Sequence, residues 1–273
     1  MQVPKLVVFD VDGTLLDWDG NLSEPTRQAL HDLRSADIAI ALATGRPYAL
    51  AERTLDQVGG ADWMVCGNGS VLFNVTSGQM LRDRCLPSGV VEPTVNELRI
   101  RVPGVGFAIE VGDTVIEEPG FNARVPEEPA SAAVPDALAS YLASSTHEAE
   151  SAGLARRLIV FHDDYDERLG ELVETLAELV PATCQIQYGG LPIVDVSPAG
   201  DHKAKALQVL IEHLDISADD VVAFGDGGND IEMLLWAGTG VAMGNARPEV
   251  QAAADHVTDS IDGRGIAAFL DLL

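Results

Sequence analysis

The sequence predicts an α/β fold, a doubly wound parallel sheet interrupted by a second α/β domain, and two observations carry that expectation. Five short apolar runs each end in a small or polar cluster. They are LVVF before Asp10, IAIALA before Thr44, WMVC before GNGS, VVAF before GDGGND, and GVAM before GNA. Apolar runs of this length read as strands buried on both faces, with their carboxyl ends carrying the polar residues. The segments between them have helical spacing, and alternation of the two element types argues for helices on both faces of a parallel sheet. Ligands of such sheets bind in the crevice beyond the carboxyl ends of the strands, where these polar clusters fall.

Along the chain, Ser23-Glu24-Pro25 reads as a helix start, and Ala29, Leu30 and Leu33 share one face of the helix it opens. Further helices are expected over residues 47–58, 203–214, 230–237, 248–254 and 265–272. The stretch from 86 to 196 breaks the alternation. It brings its own candidate strands, FAIEV, RLIVFH, CQIQY and PIVDV, and a helix over 165–180 whose Leu169, Leu172, Val173, Leu176, Leu179 and Val180 form one apolar stripe. The expected division is therefore 1–85 with 197–273 as one domain, and 86–196 as an inserted α/β domain. Residues 118–135, rich in Pro, Ala and Glu, read as a loop.

Composition narrows the function classes. The 273 residues are 47% hydrophobic, enough for a large core. No apolar stretch is long enough to span a bilayer, and no secretory signal is evident, so a soluble cytoplasmic protein is expected. Three widely spaced cysteines, Cys66, Cys85 and Cys184, suit ordinary thiols in a reducing compartment. Acidic residues number 43 against 17 Lys and Arg, a formal charge of −26. That field repels nucleic acid and anionic membranes and excludes both as partners. It sets no expectation for oligomeric state.

The chemistry lies in the polar clusters. Asp10-Val11-Asp12-Gly13-Thr14 can direct two carboxylates and intervening amides around one point, although an ordinary Asp-Gly turn fits the same run. An EF-hand loop does not, for Thr14 and Asn21 stand where it needs ligands. Gly225-Asp226-Gly227-Gly228-Asn229-Asp230 brings two more carboxylates to the same sheet edge. Crowded carboxylates raise one another's pKa values unless a cation sits among them, and hard oxygen donors without His or Cys favour magnesium. A glycine-rich turn with Asp230 capping the next helix is the alternative. Thr44-Gly45-Arg46-Pro47 offers a hydroxyl, an exposed amide and a helix start to an anion, or merely a helix cap. Lys203 opens a helix, where a cation opposes the dipole but can meet an anion; Lys205 reads as solvated.

Taken together, DVDGT, TGR, the late lysine and GDGGND stand in the order of the four motifs of the haloacid dehalogenase superfamily, which the sequence resembles. The likeness extends to CGNGSVLF, KAKALQVL and GVAMGNARPEVQAAADHVTDSIDGRGIAAFL, similar to the Cof-type hydrolases with a large α/β cap. It is looser over 86–196, and Ala204 stands where glycine often follows the motif lysine.

The resemblance implies a Rossmann-like core and an inserted specificity cap. It implies a Mg2+-dependent phosphatase acting on a small phosphorylated metabolite, a sugar phosphate or similar phosphomonoester. Asp10 would be the nucleophile and Asp12 the general acid and base. Asp10, the Asp12 carbonyl and Asp226 would hold the metal. Thr44, Gly45, Arg46, Lys203, Asn229 and the Val11 amide would bind phosphate or substrate, with Asp230 orienting Lys203 or water and Asn68 near the entrance. His162, Tyr188 and Arg124 read as structural groups. Two other activities fit the same motifs, a sugar phosphomutase and a non-catalytic phosphometabolite sensor.

Overall fold

The computed structural model describes residues 3–121, 137–144, 154–189 and 191–272. Arg124 and most of the expected loop 118–135 lie outside the described residues. In chain order the elements begin with β1 (Leu6–Phe9), α1 (Glu24–Ser35), β2 (Ala39–Ala43), α2 (Ala51–Val58), β3 (Trp63–Cys66), β4 (Val71–Asn74) and β5 (Met80–Asp83). Then come α3 (Val91–Arg101), β6 (Gly106–Val111), β7 (Thr114–Glu117), α4 (Ala137–Ser144), β8 (Ala155–Phe161), α5 (Tyr165–Leu179), β9 (Cys184–Gly189) and β10 (Leu191–Pro198). The chain closes with α6 (Lys203–Leu214), β11 (Val221–Gly225), α7 (Ile231–Trp236), β12 (Thr239–Ala242), α8 (Pro248–Gln251), β13 (His256–Val257) and α9 (Gly265–Leu270). Two compact units result, one from 1–47, 51–83 and 201–273, the other from 48–50 and 84–200.

The first unit carries an eight-stranded sheet in the order β13-β12-β11-β1-β2-β3-β4-β5. All pairings from β13 to β3 are parallel, as the apolar runs predict, and β4 and β5 add an antiparallel edge. Helices cover both faces. Ala204, Ala206, Leu207 and Leu210 of α6 and Met233 of α7 pack against Leu6, Val8, Ala41, Ala43 and Val65. On the other side Phe9 stacks on Phe224 at 5.2 Å, and Phe269 of α9 meets Phe224 edge-on. The first long helix starts where the sequence places it: the Ser23 hydroxyl accepts from the Thr26 amide, and Leu30 and Leu33 are buried.

Helix ends differ from the expectation in one instructive place. Over 47–58, a 3-10 turn at Tyr48–Leu50 precedes α2. That turn groups with the second unit because the Tyr48 amide donates to Glu110 Oε1 at 2.8 Å and Arg156 lies over the Tyr48 ring. Similarly, a 3-10 turn at Gly228–Asp230 precedes α7.

The second unit is a five-stranded antiparallel sheet, β7-β6-β8-β10-β9. One face is apolar and packs on α3 and α5, with Leu172 and Leu176 buried at the centre of the expected stripe. The opposite face mixes Ala108, Ile159, Phe161 and Ile193 with an ion network, in which Arg157 Nε donates to Glu110 Oε2 at 2.9 Å and Nη1 to Asp195 at 3.3 Å. A register shift beside Glu110 leaves Arg156 as the extra residue of a bulge, so two consecutive arginines serve one acidic cluster. His162 bonds the Pro103 carbonyl and accepts from the Asp164 amide, a structural role. Cys66, Cys85 and Cys184 take part in no disulfide among the described residues. Among the described residues no helix is long and apolar enough to cross a membrane.

Close packing at β12 holds α7 against the sheet. Gly240 is buried, and a Cβ there would collide with the backbone carbonyl of Leu234. Gly240→Ala is therefore expected to cost about 1–3 kcal/mol, the usual range for overpacking, seen as a lower denaturation midpoint at unchanged slope.

Candidate active site

Three strands deliver the first unit's polar residues to one edge. Asp10 leaves the end of β1, its amide donating to the Phe224 carbonyl of the neighbouring β11 at 2.9 Å. Asp226 and Asp230 follow β11 itself. Lys203, the first residue of α6, reaches both strands: its Nζ lies 2.5 Å from Asp10 Oδ1 and 2.6 Å from Asp230 Oδ1, and the side chain is wholly buried. The dipole of α6 disfavours a cation at this position. Two carboxylates reverse that preference.

Electrostatics follow from burial and crowding. Burial, then the charges of Asp230 and Asp226, pushes the Asp10 carboxyl well above its ordinary value, and Lys203 only partly opposes this. Asp226 is pushed up to about 6, chiefly by burial and also by Asp230, against the pull of the Thr14 hydroxyl. Burial alone would lower Lys203, but the adjacent Asp10 and Asp230 hold its ammonium above the ordinary lysine value. One oxygen from each of Asp10, Asp226 and Asp230 falls within a 4.8 Å cluster.

The three carboxylates are not equivalent. Asp230 Oδ2 accepts from the amides of Asp226 and Gly227, while its other oxygen meets Lys203, so Asp230 is spent on holding the loop and the lysine. Asp226 is aimed by neutral donors, Thr14 Oγ1 at 2.9 Å and Asn245 Nδ2 at 3.2 Å. Gly13 has φ of +82°, and any Cβ there would strike the Asp226 carboxylate. Glycine is thus required by both backbone and space. Oxygen-only donors with surplus negative charge suit a hard divalent cation such as magnesium, with Asp10 and Asp226 the available side chains.

The remaining expected residues separate into two groups. Thr44, at the end of β2, donates its amide to Val65 and accepts the Arg46 amide on Oγ1 at 3.0 Å. Asn68, in the left-handed region at φ of +53°, sits against Gly45 and accepts from Asn229 Nδ2 at 2.9 Å, joining the turns after β3 and β11. The Val11 carbonyl closes the turn by accepting from the amides of Leu15 and Leu16. Arg46 lies apart from the lysine cluster: its guanidinium forks onto Asp12, with Nη2 to Oδ1 at 2.5 Å and Nε to Oδ2 at 3.0 Å. The sequence reading omitted Asn245, which also donates to the Gly13 carbonyl and accepts from the Ile261 amide. Its signal was present in GNA, another polar cluster ending a parallel strand.

The family model described as haloacid dehalogenase-like hydrolase matches residues 7–270. The chain belongs to that family. An HMP-PP phosphatase of Cronobacter sakazakii is 31% identical over 259 residues, covering 93% of this chain and 89% of the relative. A haloacid dehalogenase-like hydrolase from Bacteroides thetaiotaomicron superposes with a TM-score of 0.80 at 27% identity, covering 98% of this chain and 99% of that one. The subclass IIB sugar phosphatase BT4131 superposes at 0.74 with 26% identity, covering 98% of both chains. Together with these haloacid dehalogenase-like relatives, the chain is a hydrolase of the phosphatase type.

Lys203→Met strips the cation from two buried carboxylates. Breaking a buried pair in this way costs about 3–5 kcal/mol. A carboxyl whose folded pKa is raised binds its proton more tightly when folded, so its ionisation opposes folding above that pKa. The deficit of the variant in denaturant titrations is therefore expected to be largest at neutral pH and to shrink as pH falls towards the ordinary carboxylate range.

Proposed function

We propose that this chain is a Mg2+-dependent phosphatase that hydrolyses a small phosphomonoester, a sugar phosphate or similar metabolite, through an aspartyl-phosphate on Asp10. The observation that carries the reading is the buried Lys203 bridging Asp10 and Asp230 at the carboxyl end of the central strand. A carboxylate fixed on a rigid strand end is a nucleophile placed in advance, and the cation beside it can receive the charge of an arriving phosphoryl group.

Asp10 attacks phosphorus while the bond to the leaving oxygen breaks, and Asp12 supplies that oxygen with a proton. Asp12 then takes a proton from water, whose oxygen attacks the same phosphorus and breaks its bond to Asp10, releasing inorganic phosphate. The Thr44 hydroxyl, the amides of Val11 and Gly45, Lys203 and Asn229 hold the phosphoryl oxygens. Asp230 keeps Lys203 in place. Magnesium, held by Asp10, the Asp12 carbonyl and Asp226, supplies charge neutralisation between the anionic nucleophile and the anionic substrate. The inserted domain over 86–196 serves as the cap that selects the metabolite. Relatives named for HMP-PP and for sugar phosphate support a small phosphorylated substrate.

Phosphate release from a panel of sugar phosphates and other phosphometabolites, with magnesium or with excess chelator, tests the reading. Turnover is expected only with the metal and is expected to vanish in Asp10→Asn, which removes the nucleophile at almost constant volume. Undiminished turnover in that variant would contradict the mechanism. Asn245→Ala is expected to raise the magnesium concentration for half-maximal rate about tenfold or more, because it removes a donor that orients Asp226, a carboxylate that would hold the metal.

A further inference from the structure

We propose that Arg46 is a positioning residue for Asp12, setting the carboxylate for proton transfer, and is not a ligand of the substrate phosphate. The inference rests on the phosphatase reading above and concerns which step Arg46 serves. Two observations carry it. The guanidinium is already spent: its Nε and Nη2 edge forks bidentately onto both oxygens of Asp12, while Nη1 donates to Gln57 Oε1 at 2.8 Å and Thr54 Oγ1 at 3.2 Å. The two partners also differ in freedom, since the Arg46 side chain is 8% exposed and that of Asp12 41%.

Thr54 and Gln57 belong to one face of α2, a turn apart, so the far end of the guanidinium is fastened to a helix. The Arg46 backbone is fastened too, its amide on Thr44 Oγ1 and its carbonyl accepting from the Gly67 amide. The arginine is thus a fixed arm, and the short carboxylate at its tip is the part whose orientation needs deciding. Asp12 lies in a turn closed by bonds from Leu15 and Leu16 to Val11, which constrain the backbone but leave the side-chain torsion open. A planar fork settles that torsion, because both oxygens must lie in the plane of the guanidinium. For a phosphate to take the same edge, it would have to displace Asp12 from the group that orients it.

Leaving groups separate the two roles. An alkoxide must be protonated as it departs from an alkyl phosphate such as a hexose 6-phosphate, whereas the phenolate of p-nitrophenyl phosphate departs without a proton. If Arg46 acts through Asp12, Arg46→Met is expected to lower kcat on the alkyl phosphate by about 100-fold or more and the initial phosphoryl-transfer rate on the aryl phosphate by less than about fivefold. Competitive inhibition by orthovanadate is expected to change by less than about twofold. In an Asp12→Asn background the same substitution is expected to add less than about threefold, and that double variant, which removes both charges together, also serves where the single one folds poorly. Arg46→Lys, which keeps charge but loses the fork, is expected to resemble Met more than Arg.

Equal losses on both substrates with weakened vanadate inhibition would make Arg46 a phosphate ligand and overturn the assignment. A faster enzyme on removing Arg46 would also overturn it, by showing that the pair restrains Asp12. Absence of wild-type turnover on both substrates would strike the phosphatase reading itself, and the Arg46 assignment with it.

Discussion

A wholly buried ammonium persists in a protein only where charges meet it, and Lys203 is met by Asp10 and Asp230, which follow the adjacent strands β1 and β11. Three separate parts of the chain converge on this one contact: the end of β1, the turn after β11, and the first residue of α6. The first two lie some 220 residues apart in sequence yet are neighbours in the parallel sheet through the pairing of Phe9 with Phe224. Core packing sets the frame. Ala204, Ala206, Leu207 and Leu210 dock α6 on the sheet, which places Lys203 at the strand ends with no room to turn away. Fold and site are therefore linked through a helix whose apolar face and first residue serve different ends.

The same contact divides labour among the carboxylates. Asp230 is consumed by Lys203 and two amides, whereas Asp226 accepts from two neutral donors, Thr14 and Asn245. Asp12 is oriented independently by an arginine braced on α2. Asp230, Asp226 and Asp12 thus have three different supports, and difference of support is what allows like residues to take unlike roles. A surplus of negative charge remains at the strand ends after Lys203 is counted, which is the physical ground for expecting a divalent cation there.

Much of this was legible in the sequence because buried parallel strands advertise themselves. LVVF, IAIALA, WMVC, VVAF and GVAM all became strands, and each polar cluster that followed lies at a carboxyl end. The turn at Tyr48–Leu50 was not legible, since the Tyr48 amide is claimed by Glu110, a partner 62 residues away. The edge strands β5 and β7 were missed for a related reason: as half-buried strands they give short, mixed patterns. Among site residues, the motif positions were readable, but their partners were not. Nothing local in TGR shows that Arg46 turns to Asp12, or in GNA that Asn245 turns to Asp226. Side chains that act by supporting other side chains leave no period or spacing of their own.

The central claim is that Asp10 carries the phosphoryl group, and chemical trapping tests it most directly. The protein, mixed with a turned-over phosphomonoester and magnesium, would be quenched within the first turnover and reduced with borohydride, which converts an acyl phosphate of aspartate to homoserine. Mass spectrometry of the peptide containing residues 6–14 should find homoserine at position 10 only when substrate was present. Phosphate release without any modification at Asp10, or with the modification at another carboxylate, would contradict the account.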